Sequence, residues 1–140
     1  MAQPLHVLLV DDDADDREIF TWTMSNIYPS AVIDMAIDGQ DALEKLEQWE
    51  YCPDIIFVDL NMPRMNGFDF LKEIRQMDRW KELPVIVYST SSNPKDMARS
   101  WQAGATDYIV KGTDMASVKR DILQALEKFH PPLPEHEYRK

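Results

Sequence analysis

The chain has 140 residues, 44% of them hydrophobic and 29% charged, which fits one globular domain around a single core. Its formal charge of −10 excludes direct nucleic-acid binding, which needs clustered Lys and Arg, and disfavours anionic membrane surfaces. No apolar run could span a bilayer, the start lacks a signal peptide's pattern, and one cysteine excludes an internal disulfide or a multi-thiolate metal site.

The chain is therefore expected in the cytoplasm, with Cys52 as a small buried filler. Short β-rich apolar runs predict strands at His6–Val10, Ala31–Ile37, Asp54–Val58, Pro84–Tyr88 and Tyr108–Val110. Helical spacing fills the gaps. Ala14–Tyr28 carries Ile19, Phe20, Met24 and Ile27 on one side, and Asp41–Trp49 carries Ala42, Leu43, Leu46 and Trp49. Phe68–Met77 offers Leu71, Ile74 and Met77; Lys95–Trp101 offers Met97, Ala98 and Trp101. The last helix, Asp114–Phe129, spaces Met115, Val118, Ile122, Leu126 and Phe129 three or four apart. Asp38-Gly39 and Asn93-Pro94 are helix entries, and Gly104 falls where a left-handed C-terminal cap belongs.

Five strands alternating with five helices predict parallel pairing through right-handed crossovers, an α/β doubly wound five-stranded sheet. Strands that read as continuous apolar runs are expected to be covered on both faces. One domain over 1–129 is expected, followed by a short proline-containing tail over 130–140.

In such a sheet the binding crevice lies beyond the carboxyl ends of the strands. The first run ends in Asp11-Asp12-Asp13, the third in Asp59, the fourth in Ser89-Thr90 and the fifth in Lys111. If the first and third strands are neighbours, Asp11, Asp12 and Asp59 converge. Two unit charges about 4 Å apart repel by roughly 4 kcal/mol at an effective dielectric near 20. Such a cluster protonates a member or recruits a cation, and all-oxygen ligands select a hard ion such as Mg²⁺. For Asp13 or Asp15, capping a helix is a sufficient role. A carboxylate can also act as a nucleophile toward phosphorus, with the charge in flight met by Lys111 and by the hydroxyl of Ser89.

These residues resemble the receiver domain of two-component response regulators, over residues 6 to about 128. Leu-Leu-Val-Asp-Asp-Asp at 8–13 resembles the family's acidic pair, and Asp54-Ile-Ile-Phe-Val-Asp59-Leu-Asn-Met-Pro63-Arg-Met-Asn-Gly67 its most specific stretch. Pro84-Val-Ile-Val-Tyr-Ser89-Thr90 resembles the switch strand, and Gly104-Ala105-Thr-Asp-Tyr108-Ile-Val-Lys111 the segment bearing the aromatic switch residue and the lysine. The resemblance implies strand order 2-1-3-4-5 and a phospho-acceptor at Asp59. Mg²⁺ (or Mn²⁺) would be held by Asp11, Asp12, Asp59 and the backbone carbonyl of Asn61. It implies a switch through Ser89 and Tyr108 that alters the face of the fourth helix, fifth strand and fifth helix. One departure stands out, Gly112 where the family usually has proline after the lysine.

The resemblance is to a stand-alone regulator, catalysing only its own phosphorylation and dephosphorylation. Its partners would be a histidine kinase or a histidine phosphotransfer protein and an unknown downstream protein. It would be a monomer or a phosphorylation-dependent dimer. Asn61 and Ser91 occupy the family's positions that tune phosphoryl lifetime, and Trp101 marks either a partner surface or core packing. Two rivals stay open. A haloacid-dehalogenase-type phosphatase shares the Asp nucleophile but usually has a second Asp where Asn61 stands. A pseudo-receiver would keep the fold without turning over phosphate.

Overall fold

The computed structural model describes residues 4–129. The expected tail over 130–140 lies outside them. Five parallel strands, β1 (His6–Val10), β2 (Val32–Ala36), β3 (Ile55–Val58), β4 (Val85–Ser89) and β5 (Asp107–Val110), form one sheet in the order β2-β1-β3-β4-β5. Between and after them run α1 (Ala14–Ile27), α2 (Gly39–Leu46), α3 (Gly67–Gln76), α4 (Pro94–Ala103) and α5 (Met115–Phe129). A single 3₁₀ turn, Asp78–Trp80, separates α3 from β4. The order 2-1-3-4-5 is the expected one, and element ends fall within three residues of the expected ones.

The period of two along each strand divides the core into two layers. Leu8, Val10, Ile56, Val58, Val85 and Val87 face α2 and α3. Val7, Leu9, Ile55, Phe57, Ile86 and Tyr88 face α1 and α5, with Phe20 stacked obliquely on Phe57 at 5.1 Å between ring centres. Expected helix signals operate: Asp38 caps α2 through Asp41 N–H, Asn93 caps α4 through Lys95 N–H, and Gly104 closes α4 at φ 109°. Asp13, for which capping is a sufficient role, caps α1, its carboxylate accepting from Asp16 N–H at 3.0 Å.

Several expected core positions face solvent instead. The inward stripe of α1 is Phe20, Thr23, Met24 and Ile27, at one-turn spacing, which leaves Ile19 to the side and exposed. Helix α2 ends at Leu46, so Trp49 no longer continues its apolar face and is 82% exposed. Helix α4 buries Ser100 and Ala103, which turns Trp101 outward at 49% exposure and overturns the core-packing alternative for it. Ala98 on α4 and Met115, the first residue of α5, are exposed too.

Cys52, expected as a buried filler, is exposed in the loop before β3, where its Sγ accepts a hydrogen bond from Arg79. Full burial holds for β3 and β4, and for β1 beyond its first residue. The edge strands β2 and β5 are mostly half-buried because each has a neighbour on one side alone. Among the described residues no helix is long and apolar enough to cross a membrane.

Candidate acidic site at the strand ends

The parallel register does the assembling. Val10 pairs with Val58, and Asp59 N–H donates to the Val10 carbonyl at 2.9 Å, so the residues that follow β1 and β3 emerge side by side. Ser89 pairs with Val110, and Lys111 N–H donates to the Ser89 carbonyl at 2.8 Å, which delivers the lysine from the far edge. Carboxylate oxygens of Asp11, Asp12 and Asp59 lie within 4.8 Å of one another. The three expected acids and the expected lysine do converge.

Lys111 is the hub. Its side chain is 8% exposed, and its Nζ donates to Asp11 Oδ2 at 2.8 Å, Asp16 Oδ2 at 2.8 Å and Asp59 Oδ2 at 3.3 Å. Lys111 has these three carboxylate partners with Gly112, not proline, as the next residue. Burial disfavours its charge, but the hydrogen bonds to Asp11 and Asp16 outweigh that and hold the ammonium above the ordinary lysine range. Burial dominates at Asp11 and pushes its carboxyl up, against the Lys111 and Asp13 N–H hydrogen bonds that pull it down. One face of the ammonium also lies 5.5 Å from the ring centre of Tyr88, whose hydroxyl is pushed up to about 12 chiefly by burial.

Asp16 is a partner that sequence reasoning missed. The signal was the five aspartates among residues 11–16, because a helix beginning at Ala14 places Asp16 in its first turn beside the strand end. Arg17 was missed as well; it donates to the Asp11 carbonyl at 2.9 Å. Asp11 Oδ1 accepts from Asp13 N–H, and Asp59 Oδ1 from Leu60 N–H at 2.7 Å, so each carboxylate keeps one oxygen on backbone and turns the other to Lys111.

Ser89 is fully buried at the end of β4, and its Oγ accepts from Ser91 N–H at 3.2 Å. Tyr108 is half-buried and its hydroxyl donates to the Ser91 carbonyl at 2.7 Å, while the Ser91 hydroxyl donates to Asp96 on α4 at 2.6 Å. Ser91 therefore joins both expected switch residues to the start of α4. Asn61 stands two residues beyond Asp59, exposed in the loop that leads to α3.

The donor set fits a hard divalent cation. Three carboxylates, Asp11, Asp16 and Asp59, share the Lys111 ammonium, Asp12 adds a fourth beside Asp11 and Asp59, and Asp11, Asp12 and Asp59 can approach one ion with oxygen. The excess of negative charge in a half-buried place is the condition under which a cation binds.

A family model for the response regulator receiver domain matches residues 7–123. Chemotaxis protein CheY1 of Helicobacter pylori is 35% identical over 107 residues, covering 76% of this chain and 85% of the relative. The chain spans 13% of a much longer curated relative, a sensor histidine kinase of the same organism, at 33% identity over 75% of this chain. Among solved structures, the phosphorylated cyanobacterial phytochrome response regulator RcpA superposes with a TM-score of 0.82 at 26% identity, covering 94% of this chain and 97% of the other. The Mn²⁺-bound response regulator Rcp1 gives 0.76 at 30% identity, covering 94% and 99%.

Proposed function

This chain belongs to the response regulator receiver domain family of two-component signalling, and from that premise we propose that it accepts a phosphoryl group on Asp59 in a Mg²⁺-dependent reaction. The single observation that carries the reading is the convergence of Asp11, Asp12 and Asp59, with Asp11 and Asp59 both paired to the buried Lys111 side chain.

The donor is a phosphohistidine of a kinase or phosphotransfer protein. An Asp59 carboxylate oxygen forms the new P–O bond as the P–N bond breaks, and the leaving imidazole nitrogen keeps the electron pair and takes up a proton. Lys111 stays protonated throughout, held so by its carboxylates, and follows the charge from the Asp59 oxygen to a phosphoryl oxygen. The buried Ser89 hydroxyl exchanges its Ser91 N–H contact for a hydrogen bond to another phosphoryl oxygen. Asp11, Asp12, Asp59 and the Asn61 carbonyl would hold Mg²⁺ or Mn²⁺. When bound, the ion supplies positive charge to the phosphoryl oxygens. A relative with bound Mn²⁺ and another that is phosphorylated support both halves of the reading.

The output follows from Ser91. Drawing Ser89 toward the phosphoryl group moves Ser91, and with it the acceptor of the Tyr108 hydroxyl and the partner of Asp96. The face of α4, β5 and α5 changes, and the exposed Trp101 on that face contacts a downstream protein. If Trp101→Ala kept both partner capture and the fluorescence response to beryllofluoride, this face would be discarded as the output.

The deciding test is intact mass after incubation with Mg²⁺ and acetyl phosphate. Wild type gains one phosphoryl group and Asp59→Asn none. No adduct on wild type, with no Mg²⁺-dependent beryllofluoride binding, makes the chain a pseudo-receiver.

A further inference from the structure

One non-glycine residue among those described has a positive φ. It is Arg64, at φ 61°, in the loop between Asp59 and α3. A side chain in the left-handed region costs about 1–2 kcal/mol and persists only where its surroundings impose it. Here the imposing group is visible. Arg64 Nε donates to Asp38 Oδ2 at 2.7 Å and Nη2 to Asp38 Oδ1 at 3.0 Å, a two-pronged pairing. Asp38 is 1% exposed, whereas the Arg64 side chain is largely in solvent. The carboxylate is therefore the fixed half, anchored as the cap of α2 through Asp41 N–H at 2.8 Å.

Two backbone contacts reinforce that anchor. Gly39 N–H donates to the Met65 carbonyl at 3.1 Å, and a Cβ on Gly39 would meet Met65 Cγ at 2.8 Å. Gly67 N–H donates to the Leu60 carbonyl at 3.0 Å, and a Cβ there would run into the Asp59 carbonyl. The segment 61–66 is thus pinned at Arg64, at Met65 and at its far end. Asn61 is exposed and lies between Asp59 and these pins.

We infer that Asp38 and Arg64 are positioning residues for the cation site: their pairing, across from the β2–α2 turn, holds the 61–66 loop so that the Asn61 carbonyl stands ready as a metal ligand. The inference rests on the proposed metal-dependent receiver function. Neither residue touches the ion. Outer partners that orient metal ligands are typically worth about tenfold or more in affinity, and a backbone ligand on a loop has no side-chain packing of its own to hold it.

Mn²⁺ binding followed by the free-ion electron paramagnetic resonance signal, with Mg²⁺ titration by calorimetry beside it, tests this on wild type, Asp38→Asn, Arg64→Gly and Arg64→Lys. Asp38→Asn keeps the α2 cap and loses the charge-assisted pairing. Arg64→Gly relieves the left-handed backbone, and lies at an exposed position where folding is not at stake. The two variants shift local charge in opposite directions. If the pair acted through charge alone, Asp38→Asn would weaken the cation and Arg64→Gly would tighten it. Positioning predicts a loss of about tenfold in both, with Arg64→Lys recovering part of it. Unchanged or tighter Mn²⁺ binding by Arg64→Gly, with wild type binding normally, overturns the inference. Absence of binding by wild type sinks the functional reading itself.

Discussion

The carboxyl ends of β1 and β2 are neighbours in the sheet, paired residue by residue from His6 and Val32 to Val10 and Ala36. Each is followed within two residues by an aspartate that is 1% exposed. Yet the two carboxyl groups are pushed in opposite directions, Asp11 up and Asp38 down. Asp38 owns a guanidinium, and the Arg64 hydrogen bonds outweigh the burial. Asp11 shares one ammonium with Asp16 and Asp59, so burial wins there. Both carboxylates are shut off from solvent, but Asp11 lies deeper among protein atoms and shares its cation, whereas Asp38 lies nearer the surface with a guanidinium of its own, and the two differences act in the same direction. The β2 end is electrically complete, whereas the β1 end is left wanting a cation.

The largest disturbance of that contrast is removal of the shared ammonium. Lys111→Met leaves Asp11, Asp16 and Asp59 without their shared cation, at a cost of roughly 3 kcal/mol in chelator, or roughly 10 °C of melting temperature for a domain of this size. Mg²⁺ should restore most of it, and thermal unfolding in chelator and in Mg²⁺ measures both. Equal losses under the two conditions would mean that the site has no unmet demand for a cation.

A smaller effect of opposite sign is expected from Asp12→Asn. Asp12 is exposed and contributes charge to the cluster, so the variant should be more stable than wild type in chelator by about 1 kcal/mol. It should also bind Mg²⁺ more weakly, trading stability for function.

The smallest and most diagnostic effect is with pH, in chelator. Asp38 is depressed in the folded state, so its contribution is present above the unfolded carboxyl value near ~3.9 and is lost as pH falls through the lower folded value. Asp11 is raised, so its contribution is present below about 3.9 and is lost as pH rises through the higher folded value. Relative to wild type, Asp38→Asn should therefore lose stability as pH rises through the acid range, and Asp11→Asn should gain it. Chemical denaturation from acid to neutral pH reads both slopes, and slopes of the same sign would erase the distinction between the two strand ends.

Much of this was legible in the linear chain. The apolar runs at 6–10, 54–58 and 84–88 mark buried strands because a strand covered on both faces tolerates few polar residues, and Asp38, Asn93 and Gly104 mark helix ends through local hydrogen bonding and φ alone. Trp49 and Ile19 were misjudged because spacing finds an apolar side but not where a helix stops or what lies opposite it; the same limit left Trp101 open between partner surface and core, and Cys52 was misjudged on residue type alone. Asp16 escaped because its role needs α1 to begin at Ala14 and Lys111 to arrive from β5, 95 residues later in the chain.

By itself the sequence determined the alternation of strands and helices and the strand ends that carry Asp11, Asp12, Asp59, Ser89 and Lys111. These are local properties of periodicity and residue type. Only the tertiary structure decided how charge is apportioned: which aspartate shares Lys111, which one owns Arg64, and that Arg64 pays for its pairing with a left-handed backbone. Hydrogen bonding and desolvation depend on distance and burial between segments far apart in the chain, and neither is written in any one of them.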